Sequence, residues 1–439
     1  MSIAADQTQS WLDQHPGAPL AGAGASWLDS ARANALALFE RIGLPGVRDE
    51  QWRYTNLRAL KSKLYQPAAN SQSDWSLPES DHPRFVLVDG VYNAGLSNLE
   101  GVAKGVQFMP LDDAVADSRF DLETRFGSTL PAQQHGFSAL NTAYCQGGYV
   151  LMLGAGATSK SPLEVLFLNS ATDSTADASA ISHTRNFIIA DANSQCTVIE
   201  RHQGTDGSVY LHNTITEIIA GDNAHIDHYK IQQDSCDAFH IGGVFIEQAR
   251  SAQVKTHNLA LGGLVARNDV RASLSGEGAH IEMNGLVFGR GRQHVDNHTE
   301  VVHAVPHCTS DEYYRSVLDD QSRSVFRGRI IVAQDAQQTN AEQQNNNLLL
   351  SAGAEADTKP QLEIYADDVQ CSHGATVGQL DPKSLFYLNS RGIDTESARA
   401  LLTFAFANEV IERIAIESVR DEMTQLIAGA LLDGMEELL

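Results

Sequence analysis

Cys371 and His373 form the most suggestive pair of metal-ligating side chains in the sequence. On a β-strand, residues two positions apart point the same way and lie about 7 Å apart. Thiolate and imidazole groups are suitable ligands for iron, iron–sulfur clusters and zinc. Two protein ligands are too few for a closed structural site, so the pair predicts a labile site or one completed by a second chain. The alternative is a buried, inert cysteine beside a hydrogen-bonded histidine.

A second group of potential ligands consists of His294, Asp296 and His298. On a strand all three side chains project from one face, where imidazole and carboxylate groups could hold a divalent ion. This interpretation predicts a stand-alone metal-dependent enzyme on an all-β scaffold. The solvated face of a structural strand would show the same pattern, and the sequence leaves both readings open.

Two other kinds of chemistry lack their motifs. The dipeptide Gly-Lys does not occur, and no Gly-x-Gly-x-x-Gly follows a predicted strand, so the chain offers no site for ATP. No Gly-x-Ser-x-Gly elbow is present either, which argues against serine hydrolase chemistry. Any ATP-driven step is therefore expected to come from a partner.

The chain has 439 residues, enough for two or three domains, and a formal net charge of −24. Such an acidic protein repels phosphate, which argues against nonspecific nucleic-acid binding and against docking on anionic lipid. Its five cysteines are scattered and odd in number, so they do not indicate a disulfide framework. The start lacks the pattern of a secretory signal, and no apolar stretch approaches the ~20 residues that span a bilayer. We expect a cytoplasmic protein.

The elements that position these residues fall into three zones: 1–146, mostly helical, 147–378, rich in short strands, and 379–439, helical. In the middle zone the strands follow one another without helices or tight hairpin dipeptides, and a Gly turn recurs 55 residues apart, at Gly221 and Gly276. A parallel β-helix explains this pattern best, because each coil then stacks on the next. A jelly roll is the competing fold.

The last zone contains an apolar stripe at helical spacing that includes Leu402, Phe406 and Val410. Such a stripe packs on the protein's own core in the simplest interpretation. A second interpretation is that part of it docks a partner.

Several segments resemble the SufB/SufD family of iron–sulfur cluster assembly proteins. They include Glu50-Gln-Trp-Arg-Tyr-Thr55 near the start, then Pro306–Arg315, Val325–Val332, Pro360–Val369, Cys371–Gly378 and Leu385–Ile393. The sequence Cys371-Ser-His-Gly-Ala-Thr376 is similar to the SufD branch, since the SufB branch usually has His-Glu-Ala-Thr there.

The resemblance implies a right-handed parallel β-helix core flanked by an N-terminal helical (α/β) region and a C-terminal helical domain. It also implies a non-enzymatic scaffold subunit that forms a heterodimer with a SufB-like paralogue at the end of the β-helix. The C-terminal helices are then expected to dock a SufC-like ATPase, and the scaffold to take part in iron acquisition. Reduced flavin is associated with the whole complex in this family. Without partners, the edge that pairs with SufB could form a homodimer.

Carried over residue by residue, the resemblance makes His373 a ligand of a nascent iron–sulfur cluster shared with SufB. Cys371 matches a neighbouring family cysteine whose role is weaker, either ligation or packing. The sulfur-accepting cysteine belongs to SufB. The remaining cysteines, which the sequence predicts to be buried apolar side chains, are Cys145, Cys196, Cys236 and Cys308.

Overall fold

The computed structural model describes residues 11–13, 20–67, 75–77, 80, 82–131, 135–170 and 178–431. The protein is mainly β, and its core is a β-solenoid of about seven turns with helices in the N-terminal and C-terminal regions. The predicted fold class is confirmed.

Two sheets form the walls of the solenoid, and successive core strands alternate between them. The first sheet contains β1 (Tyr65–Pro67), β4 (Val106–Pro110), β5 (Tyr149–Leu153), β7 (Ser179–Ala190), β9 (Tyr210–Ala220), β11 (Phe239–Gln248), β13 (Val265–Leu274), β15 (His294–His303), β17 (Arg323–Val332) and β19 (Glu355–Ile364). The second contains β2 (Arg84–Val88), β3 (Val91–Tyr92), β6 (Leu163–Asn169), β8 (Gln195–Gly204), β10 (His225–Gln233), β12 (Gln253–Ala260), β14 (His280–Gly289), β16 (Thr309–Leu318), β18 (Thr339–Leu349) and β20 (Val369–Gly378).

From β5 onward, neighbouring strands of each sheet pair in parallel. Equivalent residues therefore recur once per coil, as in the stack of His225, Gln253, His280 and Thr309. A jelly roll is built from antiparallel strands. The competing jelly-roll hypothesis is therefore wrong.

A residue with positive φ marks a corner two positions before successive strands of the second sheet. Asparagine and glycine tolerate this left-handed conformation best, because the short or missing side chain avoids the following carbonyl. The corner residues that precede β8, β10, β12, β14 and β16 are Asn193, Asn223, Ser251, Gly278 and His307. The recurrent Gly turns of the sequence lie at these corners.

Inward-facing side chains stack in register into columns along the solenoid. One column of the second sheet consists of Cys196, Ile226, Val254, Ile281, Ser310, Ala341 and Cys371. The next consists of Val198, His228, Thr256, Met283, Glu312, Gln343 and His373. Except at the last coil, the members of both columns are buried. The interior is therefore part apolar and part polar.

Helices cover the outside of the solenoid. They are α1 (Ser26–Ile42), α2 (Arg58–Lys61), α3 (Leu111–Ala116), α4 (Leu122–Arg125), α5 (Gly136–Tyr144), α6 (Pro382–Ser390), α7 (Thr395–Ile411) and α8 (Glu417–Leu431), with 3₁₀ turns at Glu50–Trp52 and Ser118–Phe120. α5 contacts the first sheet at β7 and β9, and α7 contacts the second sheet at β14 and β16. Within the described parts of the chain, no helix has both the length and the apolar character needed to cross a bilayer.

Candidate functional site

The solenoid ends at an open coil formed by β19 and β20. Each is the last strand of its sheet and, among the described residues, pairs only with the strand behind it, β17 or β18. An edge strand presents unpaired backbone N–H and C=O groups, which can pair with a strand of another chain. This end of the molecule is therefore suited to strand-to-strand association.

Cys371 and His373 lie on β20 and face the interior side of this open coil. Their register partners on β18 are Ala341 and Gln343, which are buried and inward-facing. Cys371 is half-buried and His373 is exposed, because they occupy the last coil of the described chain. The two predicted ligands therefore stand side by side at an uncovered end of the solenoid.

Two buried polar residues lie directly behind His373 in its column. Gln343 Nε2 donates a hydrogen bond to Glu312 Oε1 at 3.1 Å. Gln343 Oε1 is buried and accepts no hydrogen bond from any residue in the described ranges, and the next position in the column is His373. An imidazole N–H that donated to this oxygen would fix the orientation of the ring, as the hydrogen-bond partners of ligating histidines do in metal sites. Sequence reasoning missed both residues because they precede His373 by about one and two coils.

The thiol of Cys371 packs against the apolar interior beside Ala341 and Val369. Burial raises the pKa of this thiol above its ordinary value, so it is protonated at neutral pH. A metal ion must displace the proton to bind sulfur, which weakens the net affinity at neutral pH. Cys371 is thus suited to reversible ligation.

Large apolar side chains are exposed around the same open end. Val377 follows His373 on the inward face of β20 and is 48% exposed, while Ile364 and Tyr365 at the end of β19 are 40% and 64% exposed. Val377 lies near the end of β20 and the other two lie at the turn that leads into β20, so they are spread along the open coil; we call these three residues the terminal apolar patch. Exposed apolar groups of this size beside an unpaired strand edge are typical of an association surface.

The buried carboxyl of Glu312 predicts a pH-dependent stability. Burial raises its pKa from 4.5 to about 7. Between these two pH values the folded state keeps a proton that the unfolded state has lost. The protonated Glu312 therefore contributes its full stability below about pH 4.5, and this contribution is lost as the pH rises through about 7. Glu312→Gln cannot ionise. The unfolding free energy of this variant minus that of the wild type is therefore expected to be roughly 2 to 3 kcal/mol larger at about pH 8 than at about pH 5.

Urea unfolding of both proteins at the two pH values measures this difference. Glu342→Gln is the matched control, because Glu342 is an exposed residue on the same sheet and should change little with pH. If Glu312→Gln and the wild type had parallel pH profiles, the burial penalty assigned to Glu312 would be wrong.

The three residues of the alternative metal site do lie together on β15, but two of them, Asp296 and His298, contact the guanidinium of Arg267. Arg267 Nη1 lies 2.8 Å from Asp296 Oδ2, and His298 Nε2 lies 3.0 Å from Asp296 Oδ1. Thr55 bridges the other side, contacting Asp296 and, at 2.9 Å, His294 Nε2. The guanidinium occupies the place where a cation would bind and already compensates the carboxylate. This cluster therefore ties the N-terminal region to the solenoid and does not favour a metal site.

The other cysteines are not all buried. Cys145, Cys196 and Cys308 are buried, as predicted, whereas Cys236 is exposed. Cys236 lies in the loop between β10 and β11, where an apolar residue need not face the core. The prediction of burial is therefore wrong for Cys236.

The predicted docking stripe on α7 is divided between core and surface. Val410 is buried against the second sheet. Phe406 is half-buried, with its ring 4.4 Å from the guanidinium carbon of Arg315. Leu402 is also half-buried. Leu402 and Phe406 therefore keep accessible surface, and Val410 belongs to the internal packing.

Comparison with known proteins places these features in a family. Residues 14–165 match the family model described as the SufBD protein N-terminal region, and residues 171–406 match the SufBD core domain of SUF system FeS cluster assembly. An iron–sulfur cluster assembly SufBD family protein of Synechocystis is 32% identical over 426 residues, covering 94% of this chain and 93% of the relative. The iron–sulfur cluster assembly protein SufD of Escherichia coli is 30% identical over 401 residues (90% and 91%). That of Bacillus subtilis is 25% identical over 420 residues (92% and 93%).

Proposed function

This chain belongs to the SufB/SufD family of iron–sulfur cluster assembly proteins, and we infer that it works as the SufD-type scaffold subunit of a SufBCD-type complex. The core family model alone covers more than half of the chain, and SufD relatives from two bacteria match it over about nine-tenths of its length. A SufD-like scaffold role in iron–sulfur cluster assembly follows from this membership. The partners and ligands below are our proposal.

The observation that carries the proposal is the position of Cys371 and His373 on a terminal strand whose outer edge is unpaired. A strand of a SufB-like paralogue that paired with β20 would cover both side chains and bring its own ligands next to them. The terminal apolar patch would be buried in the same step, which supplies a hydrophobic contribution to association.

The chemistry of this site suits a cargo that must be released. His373 provides an accessible imidazole and Cys371 a thiol whose proton competes with iron. Two ligands from this chain hold a nascent cluster only while the partner supplies the rest, so separation of the subunits opens the site. Iron acquired by the scaffold would enter at the same place. The protein itself then performs no catalytic step.

ATP hydrolysis is assigned to a SufC-like ATPase that docks on the C-terminal helices. The accessible parts of Leu402 and Phe406 on α7, together with the exposed Leu426 on α8, offer it an apolar surface. Reduced flavin, where the complex uses it, is assigned to the assembled complex. In the absence of partners, the open edge of β20 would pair with a second copy of this chain.

Co-expression tests the proposed function. The chain is purified alone and with SufB-like and SufC-like partners, and iron, acid-labile sulfide and visible absorbance are measured under anaerobic conditions. We expect the chromophore with sulfide only in the complex. A stand-alone metal enzyme would instead show stoichiometric metal in the isolated chain that disappears in His298→Ala, and that result would overturn the scaffold role.

A further inference from the structure

Three histidines meet inside the solenoid, far from its open end in the stacking order. His212 on β9 and His240 on β11 are register neighbours in the first sheet, and His202 on β8 belongs to the second. All three are fully buried, with exposed fractions of 0–1%. One ring nitrogen of each can be chosen so that all three atoms lie within 4.8 Å of one another. A small adjustment of the rings would therefore bring the three nitrogens to a common centre.

The hydrogen bonding of this cluster is incomplete. Neither ring nitrogen of His202 has a hydrogen-bond partner among the described residues, and the same holds for both ring nitrogens of His240, although its Nδ1 lies close to Asp234. Buried polar atoms are nearly always paired, because an unpaired one has lost its hydrogen bonds to water without replacement. His212 makes only long contacts, 3.3 Å from Nε2 to Thr184 Oγ1 and 3.4 Å from Nδ1 to Asn169 Nδ2. An ion at the centre would give these lone pairs a partner.

The interior of the solenoid favours the neutral form of these rings. Burial lowers the pKa of all three, that of His212 to about 3, and so favours the neutral imidazole, in which one ring nitrogen carries no proton. The nearby side chain of Lys230 donates a hydrogen bond to Asn268 Oδ1 at 2.7 Å, and burial lowers its pKa to about 8, which weakens its opposition to a second cation. The carboxylate of Glu200 also acts on this cluster and favours positive charge there.

A carboxylate lies against one of the rings. Asp234 Oδ2 lies 2.9 Å from His240 Nδ1, and Asp234 also accepts hydrogen bonds from Tyr210 Oη at 2.6 Å and Gln232 Nε2 at 2.8 Å. Although burial alone would raise it, the neighbouring His240 and these hydrogen bonds hold the pKa of Asp234 below its usual range. A carboxylate that binds Nδ1–H of a histidine directs the other nitrogen toward an ion, as in many zinc sites.

We propose that His202, His212 and His240 form an internal binding site for a divalent transition-metal ion such as Zn²⁺ or Fe²⁺, separate from the pair at the open end. Three neutral imidazoles leave a fourth position for water or a small anion, and the absence of oxygen ligands among the three disfavours Mg²⁺ and Ca²⁺. Asp234 is the positioning residue of this site. Such an ion would stabilise the interior of the solenoid by linking its two sheets.

The test uses the full chain with Cys371→Ala and His373→Ala, so that the open-end pair cannot bind metal. The protein is expressed in medium supplemented with Zn²⁺ or, anaerobically, with Fe²⁺, and bound metal is counted after dialysis. We expect one equivalent of one or both ions, with binding lost in His202→Gln and His240→Gln and weakened about 10- to 100-fold in Asp234→Asn.

His257→Gln is the matched control, because His257 is a buried histidine that stacks on Tyr229 outside the cluster. It should keep the full equivalent. X-ray absorption of the zinc-loaded protein gives a readout that needs no cluster variant, with about three imidazole nitrogens expected at 2.0–2.1 Å. Absence of bound metal, or metal that persists unchanged in the folded His202→Gln and His240→Gln variants, would overturn the site. The co-expression result does not depend on this outcome, so the two proposals fail separately.

Discussion

Replacing His373 with alanine is expected to reduce the iron and acid-labile sulfide retained by the co-expressed complex about tenfold or more. His373 is exposed at the end of an inward-facing column and supports no buried hydrogen bond of the described structure, so the variant should fold normally. The loss would come from one missing ligand in a site that already has too few from this chain. Iron and sulfide analysis of the anaerobically purified complex measures it.

Ser372→Ala is the matched control for this experiment, since Ser372 is exposed on the same strand but points to the opposite face. It should retain the cluster. Cys371→Ala should give an intermediate loss, because the raised pKa of its thiol makes it the weaker ligand. If the His373→Ala complex retained as much iron and sulfide as the wild-type complex, His373 would not be a cluster ligand, and the chain would be only a structural partner.

Introducing a charge into the terminal apolar patch is expected to separate the subunits. Val377→Asp places a carboxylate where β20 would be covered, and an unpaired buried charge costs about 3 kcal/mol or more. Affinity for the SufB-like partner should fall about a hundredfold or more. Sedimentation of the mixed subunits over a range of concentrations measures the change.

Thr376→Asp controls for charge alone, because it adds the same carboxylate to the exposed outer face of the same strand. Its affinity should stay close to that of the wild type. If Val377→Asp bound the partner as tightly as the wild type does, the association surface would have to lie elsewhere on the molecule, and the shared site with it.

The solenoid was predictable because its corners repeat in the sequence. Gly221 and Gly276 are 55 residues apart, and the structure shows two coils between them, with Gln253 of β12 lying between His225 and His280 in register. The intermediate corner has Ser251 in the left-handed conformation and no glycine at the equivalent place, so the single-coil period was not visible.

Polar strands were harder to recognise than apolar ones. β16 (Thr309–Leu318) carries Glu312 on its inward face, and β18 carries Gln343 and Asn345. A pattern that expects apolar residues inside does not identify such strands, because here buried polar side chains pair with one another inside the solenoid.

The candidate site was predictable only in part. Which residues of one strand share a face can be read from the local sequence, whereas contacts between coils join residues that are far apart in the sequence. The alternation of residues already placed Cys371 beside His373 and His294 beside Asp296. Arg267 stacks under Asp296 one coil away and Thr55 comes from the N-terminal region, so no local pattern could show that an arginine fills the second site. Proximity of His212 and His240 follows from the same coil register.

The most direct test of the central claim asks whether a nitrogen atom of this chain binds the cluster. The complex is reconstituted from this chain carrying ¹⁵N-labelled histidine and from unlabelled partners, and its reduced, paramagnetic cluster is examined by electron–nuclear double resonance. We expect the hyperfine coupling of a directly bound ¹⁵N imidazole, and its absence when the labelled chain carries His373→Ala. A cluster-loaded complex of the labelled wild-type chain with no ¹⁵N coupling would contradict the account.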